Sequence, residues 1–196
     1  PLLSREEERD LAIRYREKDD LDSAYKLVTA NLRLVVKIAM DFQRYWMQNL
    51  MDLIQAENGK SRRDAYLEVA DIAITCRYYA RTAASVLAPS GRTGLIPGLT
   101  SVQELRHPKG VVTVISPWNY PLSLAAGDSI PALLAGNAVV QKADNQTALT
   151  ALHALDLARR AGVPEDLWQI VLGRGSNIGD QLLDAADYVM FTGSTE

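Results

Sequence analysis

The chain has 196 residues, 47% of them hydrophobic and 23% charged, with a net charge of −3 and a pI near 5.5. That composition argues against disordered and membrane-embedded classes, and the acidic balance against direct nucleic-acid binding, which needs a basic face to neutralise phosphates. The single cysteine, Cys76, has no internal disulfide partner, so a reducing compartment, by default the cytoplasm, is expected; no run reaches the ~18 apolar residues of a membrane span.

In chain order, residues 1 to about 58 read as helix. Ser4 is placed as an N-cap with Glu7 as its capping-box partner, and Leu11, Ala12 and Tyr15 follow at helical spacing. A second start falls near Asp20 to Ser23. Asn31 to Gln55 sets Leu34, Val35, Ile38, Phe42, Tyr45 and Trp46 on one apolar face and stops at Asn58-Gly59. A further helix is predicted over 61 to 87, ending before the linker APSGRTG.

Beyond it the grammar changes. Residues 102 to 106 read as a short strand, followed by strands at 111 to 116, 137 to 142, 168 to 173 and 187 to 191, with helices at 121 to 135, 147 to 161 and about 176 to 185. Short β-rich runs alternating with helices predict a parallel sheet with helical crossovers. The fold class is therefore α/β: a helical N-terminal segment, then a truncated doubly wound, Rossmann-like parallel sheet of about four strands.

In such sheets ligands collect at the carboxyl ends of the strands. Those ends carry Ser116-Pro117-Trp118-Asn119-Tyr120-Pro121, then Lys142-Ala143-Asp144-Asn145-Gln146-Thr147, then Gly173-Arg174-Gly175 with Gly179 close behind, and Thr192-Gly193-Ser194. Together they outline a nucleotide pocket. Each has a plainer reading. The glycines depart by one residue from the usual dinucleotide fingerprint and also suit a tight turn before a helix. Lys142 also suits an exposed strand end, and Asn119 a cap for the helix opening at Pro121.

The stretch ISPWNYPLSLAAGDSIPALLAGNAVVQKADNQT, with FTGST at 191 to 195, resembles the aldehyde dehydrogenase superfamily, most of all its succinate-semialdehyde branch, from about residue 50 to 196. The resemblance implies that Asn119 donates to the oxyanion of the thiohemiacetal and that Lys142 binds the adenosine ribose of NAD or NADP. It also implies that Ser116, Pro117, Trp118, Asp144, Asn145, Gly175, Gly179, Thr192, Gly193 and Ser194 line the cofactor site. Asn145 stands where NAD-preferring members commonly have glutamate. It lacks the carboxylate that would repel a 2′-phosphate and so leans towards NADP. The family's nucleophilic cysteine and its glutamate base are absent from these 196 residues, so weak cofactor binding and no dehydrogenase activity are expected. Cys76, within ITCRYYA, reads as a small core residue. His107 and His153 show no metal-binding spacing.

The opening is different. LSREEERDLA followed by NLRLVVKIAMDFQRYWMQNLMDLIQ resembles bacterial RNA polymerase sigma factors, in which the DLIQ helix docks on core polymerase. The resemblance makes Asp52 and Gln55 polymerase-binding positions. The continuation AENGKSRRDA instead resembles an aldehyde dehydrogenase helix and its glutamate-x-glycine-lysine turn. The sequence thus predicts a chimera of a sigma-like segment, 1 to 55, and a partial NAD(P)-binding domain, 56 to 196. The alternatives are that 1 to 50 is a divergent helical extension of a dehydrogenase, or that the product is non-functional. An apolar 31 to 55 helix without its sigma partners must pack on the helix at 61 to 87 or drive self-association.

Overall fold

A computed structural model describes residues 3–18, 20–44, 47–96 and 98–193. Tyr45, Trp46, Ser194 and Thr195, and the side chains of Ile38 and Phe42, lie outside what it describes. Helix α1 (Arg5–Lys18) opens on the expected capping box: the Ser4 amide donates to Glu7 Oε2 at 2.7 Å and the Glu7 amide to Ser4 Oγ at 3.2 Å. The Ser4 amide, and the Ser4 hydroxyl donating to the same Oε2 at 2.9 Å, hold the Glu7 carboxyl below its ordinary pKa. Helix α2 (Leu21–Arg44) starts after Asp20, whose carboxylate accepts from the Asp22 amide at 3.1 Å and from Ser23 Oγ at 2.6 Å. Helix α3 (Met47–Asn58) ends at Gly59, which takes φ +73°, the left-handed value that glycine adopts without a Cβ penalty. Ser61 then caps α4 (Arg62–Leu87) by accepting from the Asp64 amide at 3.1 Å.

The stretch expected to be a linker after α4 is partly ordered. Ser90–Thr93 forms β1 and pairs antiparallel with β2 (Ser101–Glu104), Ser90 opposite Glu104. Its Pro, Ser and Gly content hid the strand, because pairing with β2 further along the chain overrides a weak local preference.

The main sheet has the strand order β5-β4-β3-β6 and is parallel throughout. Its strands are β3 (Val111–Ile115), β4 (Ala138–Lys142), β5 (Trp168–Val171) and β6 (Tyr188–Phe191). Helices α5 (Ser123–Leu134), α6 (Ala148–Ala161) and α7 (Gly175–Asp184) make the crossovers, and a short 3₁₀ turn, Asn145–Thr147, precedes α6. The strand ends are in register: Ile115 lies opposite both Lys142 and Phe191, and Lys142 opposite Val171. From β3 the chain winds outwards to β5 and then returns to the other side of β3 as β6. The strand order therefore reverses between β3 and β6, where an open α/β sheet leaves its ligand crevice.

The two faces of the sheet are covered differently. Along β3, Val112 and Val114 point into the core with α5 and α6, while Thr113, on the other face, donates from Oγ1 to the Leu182 carbonyl of α7 at 3.3 Å. Helices α2, α3 and α4 form an outer layer, α2 against α4 and α6, α3 against α4 and α6, and α4 against α5. Helix α2 thus packs on the helix at 61 to 87, and its Leu34 and Val35 are buried beside Ile130 and Leu134 of α5. One core cluster contains Leu50 and Ile54 of α3 together with Val114, Val139 and Trp168 of the sheet. It runs through the sequence boundary at 55/56 without a break. No helix among the described residues is long and apolar enough to cross a membrane.

Candidate active site at the sheet's carboxyl edge

A cleft of about 400 Å³ opens at the point where the strand order reverses. The β3 end contributes Ser116, Pro117 and Trp118; the β4 end, Lys142 and Asp144; the β6 end, Thr192 and Gly193; and α7, Gly175 and Gly179. A second hollow of about 300 Å³ shares Pro117, Trp118, Thr192 and Gly193 with it and adds Asn119 and Leu124. The structure thus gathers ten of the candidate positions around two adjoining hollows. Asn145 lines neither; its Oδ1 accepts the Gly173 amide at 3.0 Å, tying the loop after β4 to the loop after β5. Asp144 also serves its own backbone, accepting from the Gln146 amide at 2.8 Å. Asp52 and Gln55 lie apart from the cleft on α3, where Arg62 Nη1 donates to Asp52 Oδ1 and, at 2.9 Å, to Gln55 Oε1.

Local sequence explains the shape. On α7 the residues Gly175, Ile178, Gly179 and Leu182 fall at i, i+3, i+4 and i+7, so one helix face forms a wall of the cleft. A Cβ on Gly175 or Gly179 would meet nothing within 4 Å, so both backbones are open to an approaching ligand. At Gly173 a Cβ would sit 2.9 Å from Ile178 Cδ1, so any larger residue there requires the Ile178 side chain on the cleft wall to shift. No side chain caps the N-terminus of α7, where unpaired amides and the helix dipole suit an anionic group. The departure from the usual glycine spacing thus still gives an open helix terminus. Ile178, Leu182, Ile115 and Phe191 are the cleft residues that sequence reading missed. The helical stride from Gly175 and Gly179 was the available signal for the first two.

Asn119 is not the cap of α5. The N-terminal residue Leu122 has no side-chain cap from its own segment, and the Leu122 and Ser123 amides instead donate to Oε1 of Glu68, on α4, at 2.7 and 3.2 Å. Asn119 stays exposed on the loop, bordering the smaller hollow. Beneath the loop, Ser116 is buried and its Oγ accepts Gln141 Nε2 at 3.5 Å, while Gln141 Oε1 accepts Trp168 Nε1 at 3.0 Å.

Two titrating groups bear on the site. Burial pushes the Cys76 thiol, in the middle of α4, up to about 12, so it stays protonated and inert. Asp128 lies one turn beyond Leu124 on α5, and partial burial raises its carboxyl above the ordinary range. The native state then holds this proton to a higher pH than the unfolded chain does. Asp128 is neutral towards folding in acid and destabilises progressively as pH rises through that window. Asp128→Asn is expected to raise the urea midpoint at pH 7 and to leave it unchanged at about pH 3, below the unfolded carboxylate value. An equal shift at both pH values would refute this account.

The aldehyde dehydrogenase family model matches residues 24–196. A putative NADP(+) succinate-semialdehyde dehydrogenase of Mycolicibacterium smegmatis is 53% identical over 146 residues, covering 74% of this chain and 28% of that protein. The mitochondrial succinate-semialdehyde dehydrogenase of Arabidopsis thaliana is 36% identical over 189 residues, covering 90% of this chain and 35% of that one. Among solved structures, the NADP complex of the NADP-dependent glyceraldehyde-3-phosphate dehydrogenase of Bacillus halodurans matches all of this chain and 42% of its own, with 32% identity and a TM-score of 0.78. The NAD-dependent benzaldehyde dehydrogenase of Corynebacterium glutamicum matches 90% of this chain and 41% of its own, with 29% identity and a TM-score of 0.77. The chain therefore spans about a quarter to a third of the length of these curated relatives. The family match takes in α2 from residue 24 and the whole of α3, so more than half of the segment expected to be sigma-like falls within the aldehyde dehydrogenase match. With this match spanning most of the chain and the cleft lying where the strand order reverses, the chain belongs to the aldehyde dehydrogenase family.

Proposed function

We propose that the chain is a nicotinamide-dinucleotide-binding part of an aldehyde dehydrogenase, with NADP or NAD held in the cleft between β3, β6 and α7. The parent reaction is oxidation of an aldehyde such as succinate semialdehyde to the acid. The observation that carries this reading is the meeting of Lys142, the Ser116 to Trp118 loop and the uncapped α7 N-terminus around one cleft of about 400 Å³. Lys142 bonds the adenosine ribose, and the α7 terminus with Gly175 and Gly179 receives the pyrophosphate. Ser116, Pro117, Trp118, Thr192 and Gly193 flank the remainder of the dinucleotide; Asp144 shapes the ribose side, and Asn145, beside the cleft, brings no carboxylate to repel a 2′-phosphate. Asn119 supplies a neutral, fixed amide donor to the oxyanion that develops on the aldehyde. When bound, the cofactor accepts hydride from the substrate. Ser194 belongs to the same proposed set through its place in the Thr192-Gly193-Ser194 motif, outside the described residues.

Binding should be weak, since the chain presents one side of a site in a protein several times longer. Calorimetric titration of the full chain with NADP and with NAD tests this. Lys142→Ala is expected to lower the affinity about tenfold or more, because a hydrogen bond from a charged group contributes about 1.5–3 kcal/mol. Unchanged affinity removes Lys142 from the site, and no binding of either dinucleotide by the unmodified chain defeats the reading.

The competing reading gives 1 to 55 a role in binding RNA polymerase core through Asp52 and Gln55. It rests on the order of residues in that segment and on the exposure of the Asp52 side chain, 67%. Against it, Arg62 already engages both side chains from the dehydrogenase-like part. We therefore favour α3 as a structural part of the dinucleotide-binding unit.

A further inference from the structure

The helices that follow the two cleft loops, α5 after β3 and α6 after β4, are both capped from outside. Glu57, at the end of α3, accepts the Leu149 and Thr150 amides at 2.7 and 2.8 Å and Thr150 Oγ1 at 2.6 Å. Glu68, on α4, accepts the Leu122 and Ser123 amides. Glu68 is 2% exposed, and a buried carboxylate is costly unless its charge is answered and its lone pairs are used. Lys60 answers it, with Nζ 2.5 Å from Glu68 Oε2. The same ammonium lies 3.6 Å from the centroid of the Tyr120 ring, and Asn58 Nδ2 donates to the Trp118 carbonyl at 3.3 Å.

Asn119 is therefore bracketed. The residue before it is held through its carbonyl, the residue after it through its ring, and the helix that follows through its first amides. All these contacts come from the turn between α3 and α4 and the first turns of α4. The arrangement also has a chemical consequence. A short polar residue just before a helix ordinarily spends its side chain on the helix's first amides. Because the Glu68 carboxylate takes those amides, the Asn119 side chain is left to the hollow it borders.

We propose that Lys60 and Glu68 are positioning residues for Asn119: the buried ion pair caps α5 in its place and fixes the Trp118–Tyr120 loop so that the Asn119 amide is held at the cleft. This rests on the reading of Asn119 as the oxyanion donor, but the loop's order is measurable without it. In Lys60→Met the Glu68 carboxylate loses its cation and Tyr120 its partner.

The test is amide hydrogen exchange and the Asn119 side-chain amide resonance, by NMR on the full chain. In Lys60→Met, exchange at Leu122 and Ser123 is expected to rise on the order of tenfold or more, with the Asn119 resonance displaced. Leu149 and Thr150, held by Glu57, should keep their rates. Lys60→Arg, which keeps the charge and stacks on a ring, should restore both signals. Should Lys60→Met fail to fold, Lys60→Met/Glu68→Gln replaces it, since it leaves no buried charge; its neutral amide oxygen accepts more weakly than a carboxylate, so a smaller rise, still confined to Leu122 and Ser123, is expected. Unchanged exchange at Leu122 and Ser123, or an equal rise at all four amides, overturns the proposal. A wild-type chain that binds neither NADP nor NAD, with the local rise still seen in Lys60→Met, defeats the functional reading and leaves the positioning role standing.

Discussion

Incubated with succinate semialdehyde and either NADP or NAD, the purified 196-residue chain is expected to give no reduced cofactor above background, and Cys76→Ser to change nothing. Oxidation of an aldehyde by this family's chemistry starts with attack by a thiolate held against the cofactor. The chain has one thiol, and it is in the wrong place and the wrong state. Cys76 is fully buried inside α4, and with its pKa near 12 only about one molecule in 10⁵ would be ionised at pH 7. In the proposed site Asn119, on the loop after β3, would stabilise charge only once an attack has occurred. Where catalytic groups act as a unit, loss of the nucleophile costs about 10⁴–10⁶ in rate, leaving what binding and the oxyanion donor supply. Turnover that disappears in Cys76→Ser would overturn both the expectation and the structural role of Cys76.

What was legible in the sequence follows from how local each determinant is. The four parallel strands and their crossover helices announced themselves by apolar runs alternating with periodic ones, and the loops after β3, β4 and β6 carried unusual residues in a fixed order. Those loops meet because parallel strands in register bring all their carboxyl ends to one edge, and Ile115, Lys142 and Phe191 stand side by side there. The cap of α5 was not legible. Asn119 and Pro121 stand where a capping segment would, while the group that does the capping, Glu68, is more than fifty residues earlier in the chain and looks like an ordinary helical glutamate. Glu57 was hidden in the same way behind α6. Strand β1 was missed because its partner, not its own composition, makes it a strand. The apolar cleft residues Ile178 and Leu182 lacked any chemistry to single them out.

The junction expected at residues 55 and 56 is best tested by what α3 contributes to the rest of the molecule. Ile54→Ala is expected to destabilise the whole chain by about 2–5 kcal/mol, the range for truncating a large aliphatic side chain in a packed core. Ile54 and Leu50 are 0% exposed, and they belong to the cluster that holds Val114 of β3 and Trp168 of β5. A cavity there opens where α3 packs on α4 and α6, and α6 in turn packs on β5. Urea unfolding followed through amide exchange of β3 and β4 would therefore show the sheet losing protection together with α3. Val36→Ala provides the comparison, since Val36 on α2 is 41% exposed and should cost about 0.5 kcal/mol or less. A sigma-like appendage tethered to an independent dinucleotide-binding domain predicts the opposite: α3 would melt while β3 and β4 keep their protection. The same short turn that looks like a junction in the sequence carries Glu57, Asn58 and Lys60, which reach α6, the Trp118 carbonyl and Tyr120. An element that grips both cleft loops has to unfold with the domain that contains them.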